Sequence, residues 1–428
     1  MKGNCELRIA KCGLVLAVYL LAGGATSGFA QTYAIRNVKV VTVSGATIPN
    51  GNIIVQDGKI AAVGANIPVP RGATVIDGKG LTAYPGMIDP HTSIGLTEVG
   101  SVNATSDTSE MGDFNPHVKA SAAVNALSEH VEITRENGVT TVMSAPGGGL
   151  FAGQTAILNL DGWVTKDMLV KDSAAMVINF PREPQVAADS TDRQRRDAEE
   201  QWKNRIDVIK KTLRDAQAFA KLVDARVNTE PNLMLSALVP VIKGQMPVIF
   251  NVNRAGEIKA AVELAEEFKI KAILSGCVEA WKVADFLKTK NVPVLLAGIL
   301  DVPAEADPYD VNFATGAILS KAGVKFAFTS GGASSVRDLP WHASTAAAFG
   351  LSKEEALKAV TIYPAQILNI ADQVGTIQEG KIANIILSDG DPLQLTSHVK
   401  HLFVNGKPVT LGNKHTDLYE KFSKRPPL

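Results

Sequence analysis

The stretch Tyr84-Pro-Gly-Met-Ile-Asp-Pro-His91-Thr-Ser93-Ile-Gly-Leu96 decides how the rest of the chain is read. A Pro-Gly turn leads into an apolar run too short for a helix, which reads as a buried strand of the parallel type. The run ends on His91, with Ser93 two residues later. Residues i and i+2 of a strand share a face, so both side chains are expected to emerge together at the strand's end.

Outward from this strand, buried-looking strands alternate with helical segments through residues 85–372, the pattern of parallel βα units. The strands are expected at Gly86 to Asp89, Thr140 to Ser144, Thr155 to Leu160, Ala175 to Phe180, Pro247 to Val252, Lys271 to Gly276, Pro293 to Gly298 and Lys325 to Ser330. Eight such units suit a closed (β/α)8, TIM-like barrel, whose usual size is roughly 250 residues. An open doubly wound sheet is the alternative, but no glycine fingerprint opens a first βα turn. The charge-dense segment Thr191 to Asp224 reads as a solvated outer helix pair, with a lid as the second reading.

Both flanks have a different texture. Short alternating strands punctuated by Asn50-Gly51 and Asp57-Gly58 fill residues 31–84, and the same pattern returns over 373–412 with Asn405-Gly406. Such turns imply antiparallel hairpins. A small β-sandwich domain assembled from both chain ends is expected, followed by a tail over 413–428.

The first residues carry an export signal: Lys2, Arg8 and Lys11, then the apolar run Gly13 to Leu21, then the small-x-small site Gly28-Phe29-Ala30. A periplasmic or secreted protein beginning at Gln31 is expected, without a membrane anchor after cleavage, because the run is too short to remain as a spanning helix. Cys5 and Cys12 fall in the removed segment, which leaves Cys277 and excludes an internal disulfide. Taking Lys2, Arg8 and Lys11 from 43 basic residues and Glu6 from 43 acidic ones leaves 40 and 42. That balance, without charge runs, argues against a nucleic-acid partner.

In a barrel, chemistry belongs at the C-terminal strand ends and the loops beyond them. His91, Asn251 and Arg254 are the catalytic candidates there, and Ser93, Glu98, Asn253, Cys277 and Glu279 the substrate-binding ones. A strand-end Arg can clamp a carboxylate in bidentate fashion; pairing of Arg254 with a helix acid is the competing reading. Cys277 has no recognisable His partner, and a lone Cys is more often a small buried hydrophobe. Gly147 to Gly149 lacks the Lys-Ser or Lys-Thr of a phosphate loop and reads as a plain turn.

Over nearly its whole mature length the chain resembles the amidohydrolase superfamily, in particular secreted imidazolonepropionase-like and prolidase-like bacterial members. The resemblance rests on Asn52-Ile-Ile-Val-Gln-Asp-Gly-Lys-Ile-Ala-Ala-Val-Gly64, Pro85-Gly-Met-Ile-Asp89 and Gly350-Leu-Ser-Lys-Glu-Glu-Ala-Leu357, and on Pro364-Ala365, Gly380-Lys381 and Asp391-Pro392-Leu393. It implies hydrolysis of C–N bonds by one or two divalent ions, held by a His pair after strand one, further His residues after strands five and six, a carboxylated Lys in many members and a strand-eight Asp. Carried over by position, the first ligand is His91 and the second falls on Ser93. The strand-five His falls on Asn251, the strand-six His on Gly276 or, with a one-residue slip, Ser275, and the Asp on Gly331. No Lys occurs in Ala175 to Phe180.

One retained imidazole does not make a zinc site, which takes three protein ligands or more. A zinc or other divalent centre rebuilt around His91 would need His117 or His342, with Glu98, Asp107 or Glu110. Two functions follow: a hydrolase with an atypical, metal-poor site, or a catalytically silent barrel that binds a small molecule, forms a homo-oligomer or partners an active paralogue. Ser93 and Asn251 are expected to hydrogen-bond to each other or to water in the space the missing ligands vacate.

Overall fold

The computed structural model describes residues 31–187, 189–227 and 230–426, so the expected export signal lies outside the described residues. All eight expected central strands are present, at Met87–Thr92, Val139–Ser144, Phe151–Gln154 continuing as Ala156–Asn159, Met176–Asn179, Val248–Val252, Ala272–Gly276, Val294–Leu296 and Phe326–Phe328. They surround one interior cluster to which each contributes a residue: Ile88, Met143, Ile157, Ala175 just before its strand, Ile249, Ile273, Leu295 and Ala327. Ala365, Ile367, Leu368 and Ile370 join this cluster and plug one end. The core fed from all eight strands is filled rather than hollow, and the strands themselves lie in a four-stranded and a six-stranded sheet.

Two departures from the expected barrel have physical causes. The third strand runs antiparallel to both neighbours, Val139–Ser144 and Met176–Asn179. Only residues 145–150 separate it from the second strand, too few for the crossover a parallel pair needs, so the chain turns back and the ladder with the second strand closes at Ser144 and Ala156. The last strand meets the first through side chains rather than a ladder: Thr329 Oγ1 reaches the His91 carbonyl at 2.6 Å, and Thr92 donates to the Gly332 carbonyl at 3.1 Å.

Strands from both chain ends join in one eight-stranded sheet. Ile385 pairs with Pro85, tying the C-terminal part to the residues just before the first barrel strand. The strand Tyr33–Val40 pairs first with Thr74–Asp77 and further along with Thr82–Pro85, which passes its edge from one partner to the next. Buried Asn384 donates to Thr141 Oγ1 (3.1 Å) and Asn159 Oδ1 (2.8 Å), bonding this sheet to the barrel.

The charged insertion is one helix, Asp192–Asp224, not a pair, capped by Thr191 and Gln194. Its buried residues Ile209, Leu213, Ala216 and Ala220 fall on one stripe of the helix, the geometry of an outer helix packed along its second half. The tail is not featureless either, since Lys414–Ser423 forms a helix whose Lys414 pairs with Glu129 at 2.8 Å. Among the described residues no helix is long and apolar enough to cross a membrane.

Candidate functional site

The chemistry-bearing side chains gather where the strands end. Asp89, near the end of the first strand, is fully buried and accepts hydrogen bonds from Ser330 N at 3.1 Å and His91 N at 3.2 Å, with Thr329 Oγ1 at 2.7 Å. Burial pushes its carboxyl up to about 6, against the opposing pull of these hydrogen bonds. The Thr329 hydroxyl has one proton and faces two acceptors, Asp89 and the His91 carbonyl. It can donate to only one of them at a time, so it lies between the two as a shared donor.

His91 turns its Nδ1 across the interior to Ser275 Oγ, 2.5 Å away. Burial lowers its pKa to about 4, so the ring is neutral at pH 7. Ser275 therefore occupies the inward position that the sequence left open between residues 275 and 276. The parallel ladders fix this choice, because Ser275 is opposite Asn251 on one side and Leu295 on the other.

Asn251 donates to Asn179 Oδ1 at 2.7 Å, and Asn179 Nδ2 reaches the carbonyls of Gly147 (2.8 Å) and Gly149 (2.6 Å). The glycine turn after strand two is thus held by its carbonyls, and the Gly147 amide is taken by Thr108 O. Ser93 accepts from Ala333 N at 3.1 Å. The expected Ser93–Asn251 pair does not form. The first strand ends at Thr92, so Ser93 leaves the shared face and turns to the loop after strand eight, while Asn251 bonds to its neighbouring strand.

The remaining candidates separate from this centre. Arg254 precedes the helix Ala255–Phe268 and donates only to the Glu183 carbonyl, at 3.3 Å; it makes no ion pair among the described residues, so the expected alternative of a helix-acid partner does not hold. Asn253 is exposed beside it. Buried Glu257 takes the amides of Glu183, Asn253 and Arg254, and Glu279 takes that of Ala255 (2.9 Å) and bonds Lys282, which makes Glu279 a structural acceptor. Cys277 is wholly buried in the outer core, and burial pushes its thiol well up, so it is no nucleophile. Glu98 accepts from Asn125 at 3.2 Å, within the loop after strand one. Asp107 and Glu110 line a side cavity of about 280 Å³ with Ser109 and Lys119.

The divalent centre that the family resemblance implies does not fit these donors. The His91 side chain bonds a hydroxyl, Asn251 is bonded to Asn179, and the one buried carboxyl nearby, Asp89, is already held by hydrogen bonds. Among the described residues no three His, Cys, Asp or Glu side chains group so as to hold an ion. His117 is exposed and His342 is buried within the helix Leu339–Ala348, so the rebuilt centre around His91 is not assembled. Gly331, at the strand-eight position, has φ +75° and open space where a side chain would be. Sequence reading missed Asp89 and Asn179 as members of this network. A carboxylate inside an apolar strand was the signal for the first, since a buried charge needs partners.

The amidohydrolase family model matches residues 82–411. The amidohydrolase tasK of Hapsidospora irregularis is 22% identical over 409 residues, covering 85% of this chain and 41% of that protein. A D-hydantoinase of Geobacillus stearothermophilus is 41% identical over 82 residues, 19% of this chain and 16% of its own length. The chain thus spans less than half the length of these curated relatives. An amidohydrolase from Thermotoga maritima MSB8 superposes with a TM-score of 0.78 at 26% identity, over 89% of this chain and all of that one.

Proposed function

The chain belongs to the amidohydrolase family, and from that membership we propose that it acts on C–N bonds of small amides, linear dipeptide-like or cyclic, at a barrel mouth that works without a resident divalent ion. The carrying observation is the pairing of His91 with Ser275, where a metal centre would need further ligands that the described residues do not bring to it. Asn253 and Arg254, at the rim after strand five, are the proposed ligand contacts, with Arg254 toward a carboxylate. We further infer a closed barrel with a composite β-sandwich, of the secreted imidazolonepropionase-like and prolidase-like kind, exported through residues 1–30.

The test is hydrolysis of a panel of dipeptides and cyclic amides by the mature protein, with and without a strong chelator. Turnover unchanged by the chelator and lost in His91→Ala supports the reading. Turnover abolished by chelation and restored by zinc would overturn it.

A second reading has its own support. Asn251, Asn179 and Ser93 satisfy one another or the backbone, as in a site settled into a static network. On this reading the barrel is silent and binds a small molecule, or associates with an active paralogue. Complete inertness toward the panel selects it.

A further inference from the structure

We propose that Ser275 and His91 form a nucleophile and base pair, giving this barrel a metal-independent acyl-transfer chemistry; this rests on the hydrolytic reading of the mouth. The side chains come from residues 184 positions apart and meet at 2.5 Å, Nδ1 to Oγ. Nucleophile and base within hydrogen-bond reach are the geometric requirement for activating a hydroxyl.

Both partners are held from behind. Ser275 is fixed between two parallel ladders, and His91 is pinned by its amide on Asp89 and its carbonyl under Thr329. His91 Nε2 makes no hydrogen bond among the described residues, so with the ring proton on Nε2 the Nδ1 lone pair faces Ser275. Ser275 Oγ has no partner among them except His91. At the same strand ends the turn after Phe326–Phe328 offers the amides of Gly331 and Gly332, neither hydrogen-bonded among the described residues, with open space at Gly331.

The step balances without a co-reactant beyond water. Ser275 Oγ bonds to the acyl carbon while its proton passes to His91 Nδ1. The C–N bond breaks and the amine leaves with that proton, giving an ester on Ser275. Water then attacks the ester, its proton passing to Nδ1 and on to the Ser275 oxygen as the acid departs.

Diisopropyl fluorophosphate provides a readout independent of any amide substrate. The mature protein is treated, digested and mapped by mass spectrometry. The adduct is expected on Ser275, absent from Ser275→Ala, and formed about 100-fold more slowly in His91→Gln, the rate range of a general base. His91→Gln keeps a hydrogen-bonding group against Ser275, and thermal melting verifies its fold. A folded protein unmodified at Ser275, or one modified at the same rate in His91→Gln, overturns the pair. Amide hydrolysis without an adduct would sink the pair and leave the proposed function standing; an adduct without amide hydrolysis would do the reverse.

Discussion

Asp89 and His91 lie two residues apart, and burial moves their pKa values in opposite directions, to about 6 and about 4. Each sign sets a pH dependence. Asp89, raised in the fold, contributes stability that is complete below its unfolded value of 3.8 and is lost as pH rises through about 6. His91 and buried His342, also lowered to about 4, contribute stability that is lost as pH falls from 6.5 toward 4. The Asp89 shift corresponds to about 3 kcal/mol and offsets roughly one of the two histidines. Urea midpoints of Asp89→Asn are therefore expected to fall more steeply between pH 7 and pH 4 than those of the parent chain; parallel curves would contradict this assignment. Cys277 supplies a second prediction at this scale. Thiol reagents at pH 8 should leave it unmodified in the folded protein and react once denaturant is added, whereas rapid modification of the native chain would show the thiol to be accessible.

Among the elements, the first strand and the helix after strand five carry the clearest consequences. A methyl group at Gly86 would meet the buried Thr140 side chain, with atoms at 2.1 to 2.7 Å. Gly86→Ala is expected to cost about 1–3 kcal/mol by overpacking, measured as denaturant stability, and Thr140→Ala in the same chain should recover part of it, since the Thr140 Cβ at 2.7 Å remains. Additive losses would show that the two sites do not touch. Glu257 holds three amides at the start of Ala255–Phe268, so Glu257→Ala should cost about 2–4 kcal/mol; a change under 0.5 kcal/mol would mean that solvent replaces the carboxylate.

The positions of the eight strands were legible because parallel strands read as short apolar runs between turns. Strand direction was not, since periodicity carries no sense of up or down; the short link at 145–150 was the one usable sign of the antiparallel third strand. The choice between Ser275 and Gly276 also needed register, because a slip of one residue exchanges inward for outward. The partners of Asn251 and Ser93 depend on where the first strand stops, a boundary that composition does not mark.

Across the whole molecule, an amidohydrolase-family scaffold is built around strand ends that carry, among the described residues, hydroxyls, carboxamides, the buried Asp89 carboxyl and the His91 imidazole. Its strands converge on one apolar interior, strands from residues 33–85 and 385–409 share one sheet, and polar bonds from Thr329 and Thr92 draw the last strand to the first. None of these joints relies on a metal ligand, so the fold should melt at the same temperature with and without a chelator. A drop of more than a few degrees on chelation would show an ion contributing to stability.

Zinc titration of the mature, chelator-washed protein by calorimetry, beside His91→Ala, tests the metal-independent mouth most directly. The account predicts no stoichiometric binding that depends on His91, with the parent and variant chains giving the same isotherm. One equivalent of tightly bound zinc, lost in His91→Ala, would contradict it.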